Sequence, residues 1–270
     1  MNNCISWVGS AQTFIDEPSV VQYKHINLGR LGGNSNTGQN KNEDGCLIWW
    51  SLEQNWEFIM LLDAHSSDDS AKLITHYIME ARFDFLRILE LPVQQSFQLI
   101  KEKLLHIFNS NTFLTDCKNI KGESSCLIVL RKEKYIWWFS VGDCLLYYFH
   151  PDLIRLGQFQ LNQRQFFEWI GQMNTFNQEV PCYSTGVREL RKGENHIFLC
   201  TDGLIECPHA PFAHPERIFN LFSESAQQDT EIILSMLETL QSKEVKDSTT
   251  IISWKVLNSK NVSMPSDELN

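Results

Sequence analysis

Short, uninterrupted apolar runs constrain the fold of this 270-residue chain more than any other feature of its sequence. Their length is typical of β-strands, and most of them lack the alternation of apolar and polar residues that marks a half-exposed strand. We therefore expect strands that are covered on both faces, by helices or by a second sheet. The runs are residues 46–50, 58–62, 126–130, 135–141, 144–149, 197–200 and 249–254.

Helical periodicity is confined to three stretches. Residues 69–91 end before Pro92, residues 93–108 repeat apolar side chains at a spacing near 3.6, and a third helical region covers residues 215–242. The order of strands, two helices, strands, a helix and a last strand fits neither a Rossmann alternation nor an all-β sandwich. This order favours two packed sheets flanked by layers of helices.

Length and composition predict one globular domain over residues 1–256. Hydrophobic residues make up 43% of the chain, and no linker interrupts it. Over residues 157–185 the sequence turns polar with scattered aromatic side chains, which indicates an insertion or lid over a surface. Residues 257–270 are expected to form a loose polar tail.

Charge and cysteine usage limit the partners and the compartment. The formal net charge of −10 disfavours nucleic acid or an anionic membrane as a partner, because like charges repel. Eight cysteines occur without a C-x-x-C pair, so we interpret them as reduced core residues. No run approaches the roughly 20 apolar residues that span a bilayer, and a reducing cytoplasm is the expected location.

Acidic residues recur where these runs begin or end. A single Asp at a strand end is an ordinary turn former. Several of them at one rim of a sandwich would make a dense negative pocket, which is tolerable only if cations occupy it. Hard oxygen ligands, without a Cys/His set of zinc spacing, indicate Mg²⁺ or Mn²⁺. The acids are Glu43, Asp44, Asp63, Asp143, Asp202 and Asp247.

At these acids the sequence resembles the PPM family of metal-dependent serine/threonine protein phosphatases, also called type 2C. One matching tripeptide would be noise, but six in the family's order, spread over about residues 38–254, are specific. They are Asn42-Glu43-Asp44 for N-E-D, Asp63-Ala64-His65 for D-G-H, Gly122-Glu123-Ser124-Ser125 for G-x-T/S, Val141-Gly142-Asp143 for V-G-D, Thr201-Asp202-Gly203 for S-D-G, and Asp247-Ser248-Thr249-Thr250 for D-N-x-T.

The resemblance implies an α+β fold, a four-layer αββα sandwich of two antiparallel sheets flanked by helices. It also implies two Mn²⁺ or Mg²⁺ ions at one end of the sandwich and a third, weaker metal site. Asp63 would bridge the two ions, and the backbone carbonyl of Ala64 would bind one of them. The other residues assigned by the resemblance are Glu43, Asp202 and Asp247 as ligands, Asp143 at the third site, and Asp44 as a residue that orients metal-bound waters without binding a metal itself.

The same resemblance indicates the reaction. Two ions about 3.5–4 Å apart can lower the pKa of a bridging water and stabilise the charge of an in-line displacement at phosphorus. His65 matches the histidine of the family's D-G-H motif and would be the general acid that protonates the departing serine or threonine alkoxide. The alternative for His65 is a solvated loop histidine without a catalytic role.

The match departs from the family at the phosphate-binding position. The family commonly has an Arg four residues before its metal-site Glu, and Gln39 stands there in this chain. An amide can donate to phosphate but brings no charge. Weaker substrate binding is therefore expected unless Lys41 or Arg30 substitutes. Smaller departures are Ser248 for Asn and Leu145 where the family often has Arg.

Three functions are compatible with these patterns. The first is an active phosphatase, monomeric and acting on phosphorylated protein, with a cognate Ser/Thr kinase as a candidate partner. The second, suggested by Gln39, is a catalytically weak or inactive pseudophosphatase that binds phosphoproteins as a regulatory module. A two-metal nuclease would share the carboxylates, but the acidic charge and the absence of a basic groove in the sequence disfavour it.

Overall fold

The computed structural model, which describes residues 3–263, confirms the apolar runs as strands. Only Cys144 of these runs lies just outside a strand, because the strand that follows it begins at Leu145. The sequence did not predict five strands, which lie at residues 3–8, 19–23, 26–31, 170–171 and 184–189. The strands are β1 (Asn3–Val8), β2 (Ser19–Tyr23), β3 (Ile26–Leu31), β4 (Gly45–Ser51), β5 (Trp56–His65), β6 (Glu123–Lys132), β7 (Tyr135–Val141), β8 (Leu145–Phe149), β9 (Ile170–Gly171), β10 (Ser184–Glu189), β11 (Gly193–Cys200) and β12 (Thr249–Asn258).

The helices follow the predicted stretches with two breaks. The stretch over residues 69–91 divides at Ala81, whose ψ of 4° leaves the helical range. The stretch over residues 215–242 divides at residues 225–228, and the helices at residues 111–119 and 151–154 were not predicted. None of the helices within residues 3–263 has the length and apolarity needed to span a bilayer. The helices are α1 (Asp69–Glu80), α2 (Arg82–Leu89), α3 (Val93–Phe108), α4 (Asn111–Asn119), α5 (Pro151–Ile154), α6 (Pro215–Glu224) and α7 (Asp229–Ser242).

The strands form two antiparallel sheets that pack face to face. The first has the order β1-β4-β5-β6-β7-β10, with β9 paired to β6, and the second has the order β2-β3-β12-β11-β8. Their shared core contains Ile48, Ile59 and Leu127 from the first sheet and Ile197 and Trp254 from the second. The core between the sheets buries one face of the central strands of both sheets.

Helices bury the other face of each sheet. Side chains of α1 to α4 pack with the outer residues of the first sheet, and those of α6 and α7 with the outer residues of the second. Along β4, Leu47 and Trp49 contact the helix layer, whereas Ile48 and Trp50 contact the other sheet. The fold is therefore the four-layer αββα sandwich, and burial on both faces explains why the strands do not alternate.

Antiparallel pairing brings the acidic strand ends to one rim of the sandwich. In the first sheet, Asp63 at the end of β5 pairs with Ser125 near the start of β6. In the second sheet, Cys200 at the end of β11 pairs with Ile251 near the start of β12. The acids that precede or follow these positions consequently share one end of the molecule.

The polar stretch over residues 157–185 is hydrogen-bonded to both sheets. Near its start, the amide of Leu161 donates to the carbonyl of Leu146 in β8 at 2.9 Å. Farther along, β9 pairs with the start of β6, and from Ser184 onward β10 pairs with β7. The stretch thus connects the β8 edge of the second sheet with the β10 edge of the first.

The last strand is longer than the sequence indicated. β12 continues to Asn258, whose side-chain amide donates to the carbonyl of Leu190 at 3.0 Å. Leu257 and Asn258 therefore belong to the strand and not to the expected tail over residues 257–270. Residues 264–270 of that tail lie outside the described residues.

Candidate metal centre

Three aspartates from three strand ends meet at the acidic rim. Asp63 lies in β5, Asp143 follows β7 and Asp202 follows β11. All three residues are buried, and one carboxylate oxygen from each lies within 4.8 Å of the others. Like charges this close require protons or cations to neutralise them.

Two oxygens of this cluster lack a hydrogen-bond partner. Asp63 Oδ2 and Asp202 Oδ1 are buried and contact no donor among residues 3–263. Asp63 is only 2% exposed, so solvent cannot compensate for the missing partner. An all-oxygen set with free lone pairs fits a hard divalent cation such as Mg²⁺ or Mn²⁺. The residues present therefore suit the metal that the acidic strand ends predicted.

The pKa values of Asp63, Asp202 and Asp247 are raised at this rim. Burial is the main cause of the raised pKa of Asp63, and the negative charges of Asp44 and Asp202 add to it. Burial likewise raises the pKa of Asp202 to about 6, with help from the charge of Asp247. Burial also raises the pKa of Asp247, although the nearby charge of His65 opposes the shift. Cations that bind these carboxyl groups should therefore displace protons from them.

Asp44 is buried behind the cluster and is held by two threonines. Thr250 Oγ1 donates to Asp44 Oδ2 at 2.6 Å, and Thr201 Oγ1 donates to the same oxygen at 3.2 Å. Neither threonine was predicted to have a role in the site. Both lie inside the acidic motifs, Thr201 next to Asp202 and Thr250 just after Asp247, and this position in the motifs could have indicated their role.

Asp143 is fixed by the turn that carries it. Ser125 Oγ donates to Asp143 Oδ1 at 2.6 Å and accepts from the Asp143 amide at 3.2 Å. Gly142 has a φ of +86°, and a Cβ at this position would lie 2.2 Å from Ser125 Oγ. Only glycine permits this approach. The serine of one motif and the glycine of another thus position the same carboxylate.

A basic side chain that the sequence analysis missed contacts the cluster. Arg164 Nη2 lies 3.2 Å from Asp143 Oδ2, 3.5 Å from Asp202 Oδ2 and 2.5 Å from Glu206 Oε1. Arg164 is the only Lys or Arg within residues 157–185. A single cation in an otherwise uncharged or acidic stretch was the signal in the sequence.

Glu43 lies apart from the three clustered aspartates. Its Oε1 accepts a hydrogen bond from Lys41 Nζ at 2.6 Å, and the same ammonium group donates to the carbonyl of Ser66 at 3.1 Å. Both residues were predicted to act in the site, Glu43 on a metal and Lys41 on phosphate. In the structure the two side chains form an ion pair through Glu43 Oε1, and the second carboxylate oxygen of Glu43 takes no part in this contact.

Sequence comparison decides the family. The model of a family described as Protein phosphatase 2C matches residues 32–245. The chain belongs to the protein phosphatase 2C family. It is thus a metal-dependent serine/threonine protein phosphatase, an enzyme that acts on phosphoproteins. No curated protein is similar enough in sequence to match this chain.

Solved structures of bacterial phosphatases share the fold of this type 2C phosphatase. It is similar to a bacterial serine phosphatase at 15% identity and a TM-score of 0.61, covering 90% of this chain and 100% of that one. It is also similar to the serine/threonine phosphatase Stp1 from Staphylococcus aureus, at 14% identity and a TM-score of 0.60 over 96% of each chain. RsbX in complex with magnesium is similar at 15% identity and a TM-score of 0.53, covering 88% of this chain and 100% of that one.

In this phosphatase, Ala64 and His65 complete β5 beyond Asp63. Ala64 pairs with Ser124 in extended conformation, and the first left-handed residue after it is Ser66, with a φ of +72°. Alanine is therefore accommodated where the family has glycine. His65 is half-buried at the last position of the strand, close enough for its charge to lower the pKa of Asp247.

Arg30 does not replace the arginine that the family commonly has at the phosphate-binding position. It is only 7% exposed, and its guanidinium carbon lies 4.2 Å from the ring centroid of Phe14 and 5.2 Å from that of Trp7. The suggestion that Arg30 substitutes at the phosphate is wrong, because burial in this aromatic contact occupies the side chain. Gln39 is half-buried, and its Cγ packs against Gly33.

The raised pKa values predict how stability depends on pH. A carboxyl group whose pKa is higher in the folded state stabilises the fold below its unfolded pKa, near 4, and this contribution is lost as pH rises through the folded value. For Asp202 that value is about 6. In chelator, we expect the free energy of unfolding to fall between pH 5 and 7.5, and to fall by about 1–2 kcal/mol less in Asp202→Asn. Equal slopes in denaturant titrations of both proteins would contradict this assignment.

Proposed function

We propose that this phosphatase hydrolyses phosphoserine and phosphothreonine in proteins, with two divalent cations held at the aspartate cluster. The supporting observation is the convergence of Asp63, Asp143 and Asp202, two of which carry a buried oxygen without a partner among the described residues. Asp63 would contact both ions. The remaining ligands that we propose are Glu43, Asp202, Asp247 and the carbonyl of Ala64, with Asp143 farther out.

The proposed cations are Mg²⁺ or Mn²⁺, because every donor in the cluster is an oxygen. A magnesium complex of RsbX, which has the same fold, supports this choice. Bound ions of this kind supply a polarised water nucleophile and stabilise negative charge at phosphorus. We further propose that the protein is a cytoplasmic monomer in signalling, opposed by a Ser/Thr kinase, with no role for nucleic acid or a membrane.

The protein's own groups would orient the reactants. Thr201 and Thr250 fix the carboxylate of Asp44, which leaves that carboxylate able to orient metal-bound water. Lys41 and Gln39 would contact the substrate phosphate. The Lys41 ammonium donates to Glu43 and to the carbonyl of Ser66 and has a third N–H to offer. His65 would donate a proton to the departing alkoxide, since an alkoxide is a poor leaving group.

The role of His65 predicts a dependence on the leaving group. His65→Ala should slow hydrolysis of a phosphothreonine peptide by about 100-fold, but hydrolysis of p-nitrophenyl phosphate much less, because a phenolate departs without a proton. Steady-state kcat for both substrates in Mn²⁺ measures the difference. His76→Ala is the control, since His76 is exposed on α1 and forms an ion pair with the exposed Glu80. Equal losses on both substrates would remove His65 from the acid role.

A pseudophosphatase that binds phosphoproteins as a regulatory module would require this chain to depart from the activity of its family, and Gln39 together with the Lys41–Glu43 ion pair is the observation that favours this alternative. Phosphate release from a phosphothreonine peptide by purified protein separates the two functions. The proposal predicts release with Mn²⁺ or Mg²⁺ and none in chelator. Metal binding without turnover of any phosphoester would instead support the binding module.

A further inference from the structure

Arg164 supplies a positive charge at the outer side of the metal centre. One of its nitrogens, Nη2, contacts carboxylate oxygens of Asp143, Asp202 and Glu206. The Arg164 side chain is only 18% exposed, and its contacts with Asp143 and Asp202 are therefore shielded from bulk water. These three acids surround one guanidinium nitrogen in the way that acidic ligands surround a bound metal cation.

Hydrogen bonds anchor the chain on both sides of Arg164. Before it, Asn162 is 3% exposed and its side-chain amide donates to Ser140 Oγ at 3.0 Å and to the carbonyl of Cys144 at 2.8 Å. After it, the amide of Gln165 donates to the carbonyl of Gly142 at 2.9 Å. These anchors are at the turn that carries Asp143. The guanidinium is therefore built into the site and is not a surface side chain that happened to fall there.

An aromatic contact completes the hold on the guanidinium. The Arg164 Cζ atom lies 4.7 Å from the ring centroid of Phe166, within the range of a cation–π interaction. Phe166 is 58% exposed, and its ring contacts Arg164 instead of being buried in a hydrophobic core. Arginine keeps its charge at every physiological pH, so the charge at this position is permanent.

We propose that Arg164 takes the place of a third divalent cation, so that this phosphatase binds two metal ions and a tethered guanidinium. The inference rests on the proposed two-metal function. Both oxygens of Asp143 are occupied, Oδ1 by Ser125 and Oδ2 by Arg164. The partnerless oxygens are on Asp63 and Asp202, which are the acids assigned to the metal pair. The lone pairs that are free to bind a cation are thus on Asp63 and Asp202, and not on Asp143.

Metal stoichiometry tests this inference directly. Mn²⁺ is titrated into wild-type protein, Arg164→Met and Arg155→Met, and unbound Mn²⁺ is counted by its EPR signal up to millimolar concentration. Arg155 is the matched control, because it is an exposed arginine of the preceding segment and forms an ion pair with the exposed Asp152. Wild-type protein and Arg155→Met should bind two ions. Arg164→Met should bind a third, and adding Asp143→Asn to it should return the count to two.

Several results would overturn the inference. A wild-type protein that binds three ions, or an Arg164→Met isotherm identical to that of wild type, would show that Arg164 occupies no cation position. A third ion that persists in the double variant would lie elsewhere. In each of these outcomes the wild-type protein still releases phosphate. If the proposed function fails, wild-type protein and Arg164→Met will bind no Mn²⁺ and release no phosphate. That result would overturn both the proposed function and the inference about Arg164.

Discussion

Replacing Asp63 by Asn should reduce turnover of a phosphothreonine peptide by at least about 100-fold, while making the metal-free protein more stable. The loss is expected because Asp63 is the one carboxylate proposed to contact both ions. The gain is expected because the neutral amide removes one charge from a buried cluster in which Asp44 and Asp202 raise the pKa of Asp63. Circular dichroism melts in chelator should show a midpoint raised by about 2–4 °C.

A second charge-neutralising variant controls for net charge. Asp229→Asn removes one negative charge at the start of α7, where Asp229 accepts from Lys255 at 2.8 Å. We expect it to change neither turnover nor the stabilisation by Mn²⁺. If Asp63→Asn kept more than about a tenth of wild-type turnover, Asp63 would not be the bridging ligand.

Replacing Arg131 by Met should lower the free energy of unfolding by about 3–5 kcal/mol, the largest expected stability effect. Arg131 forms a buried ion pair with Glu57, and the two side chains are 4% and 1% exposed. Burial alone would raise the pKa of Glu57, but Arg131 and His25 keep it low, so the carboxylate is charged. Without Arg131 it would stay buried with only His25, at 2.8 Å, beside it.

The matched double variant distinguishes loss of pairing from loss of packing. Arg131→Met combined with Glu57→Leu removes both charges and should recover much of the lost stability in urea titrations. Metal binding should be unchanged in both variants, because Glu57 lies roughly 20 Å from Asp63 along β5. A double variant less stable than the single one would contradict this account of the pair.

Much of the architecture could be read from the sequence because burial leaves a direct mark on it. The runs at residues 58–62 of β5 and 126–130 of β6 are continuously apolar, and this pattern is typical of strands that are covered on both faces. The break at Ala81 could not be read in this way. Both α1 and α2 keep an apolar face against the same sheet, and the chain turns between them without proline or glycine.

The candidate site was predictable where its residues come from motifs and not where they come from geometry. Asp63, Asp143 and Asp202 lie at strand ends inside motifs of the family, and the resemblance to the family was enough to expect them together. The contact between Arg164 and these acids depends on how residues 157–185 are anchored at Asn162 and Gln165. The ion pair of Lys41 with Glu43 depends similarly on side-chain position. Neither leaves a periodic pattern in the sequence.

Anomalous diffraction at the manganese edge from a crystal soaked in Mn²⁺ tests most directly whether the acids of distant strands share a pair of cations. The account predicts two manganese peaks at the rim, both within about 2.5 Å of Asp63 oxygens, with Asp202 bound to at least one of them. Manganese that is absent from this rim, or that binds Asp202 and Asp247 at positions not shared with Asp63, would contradict it.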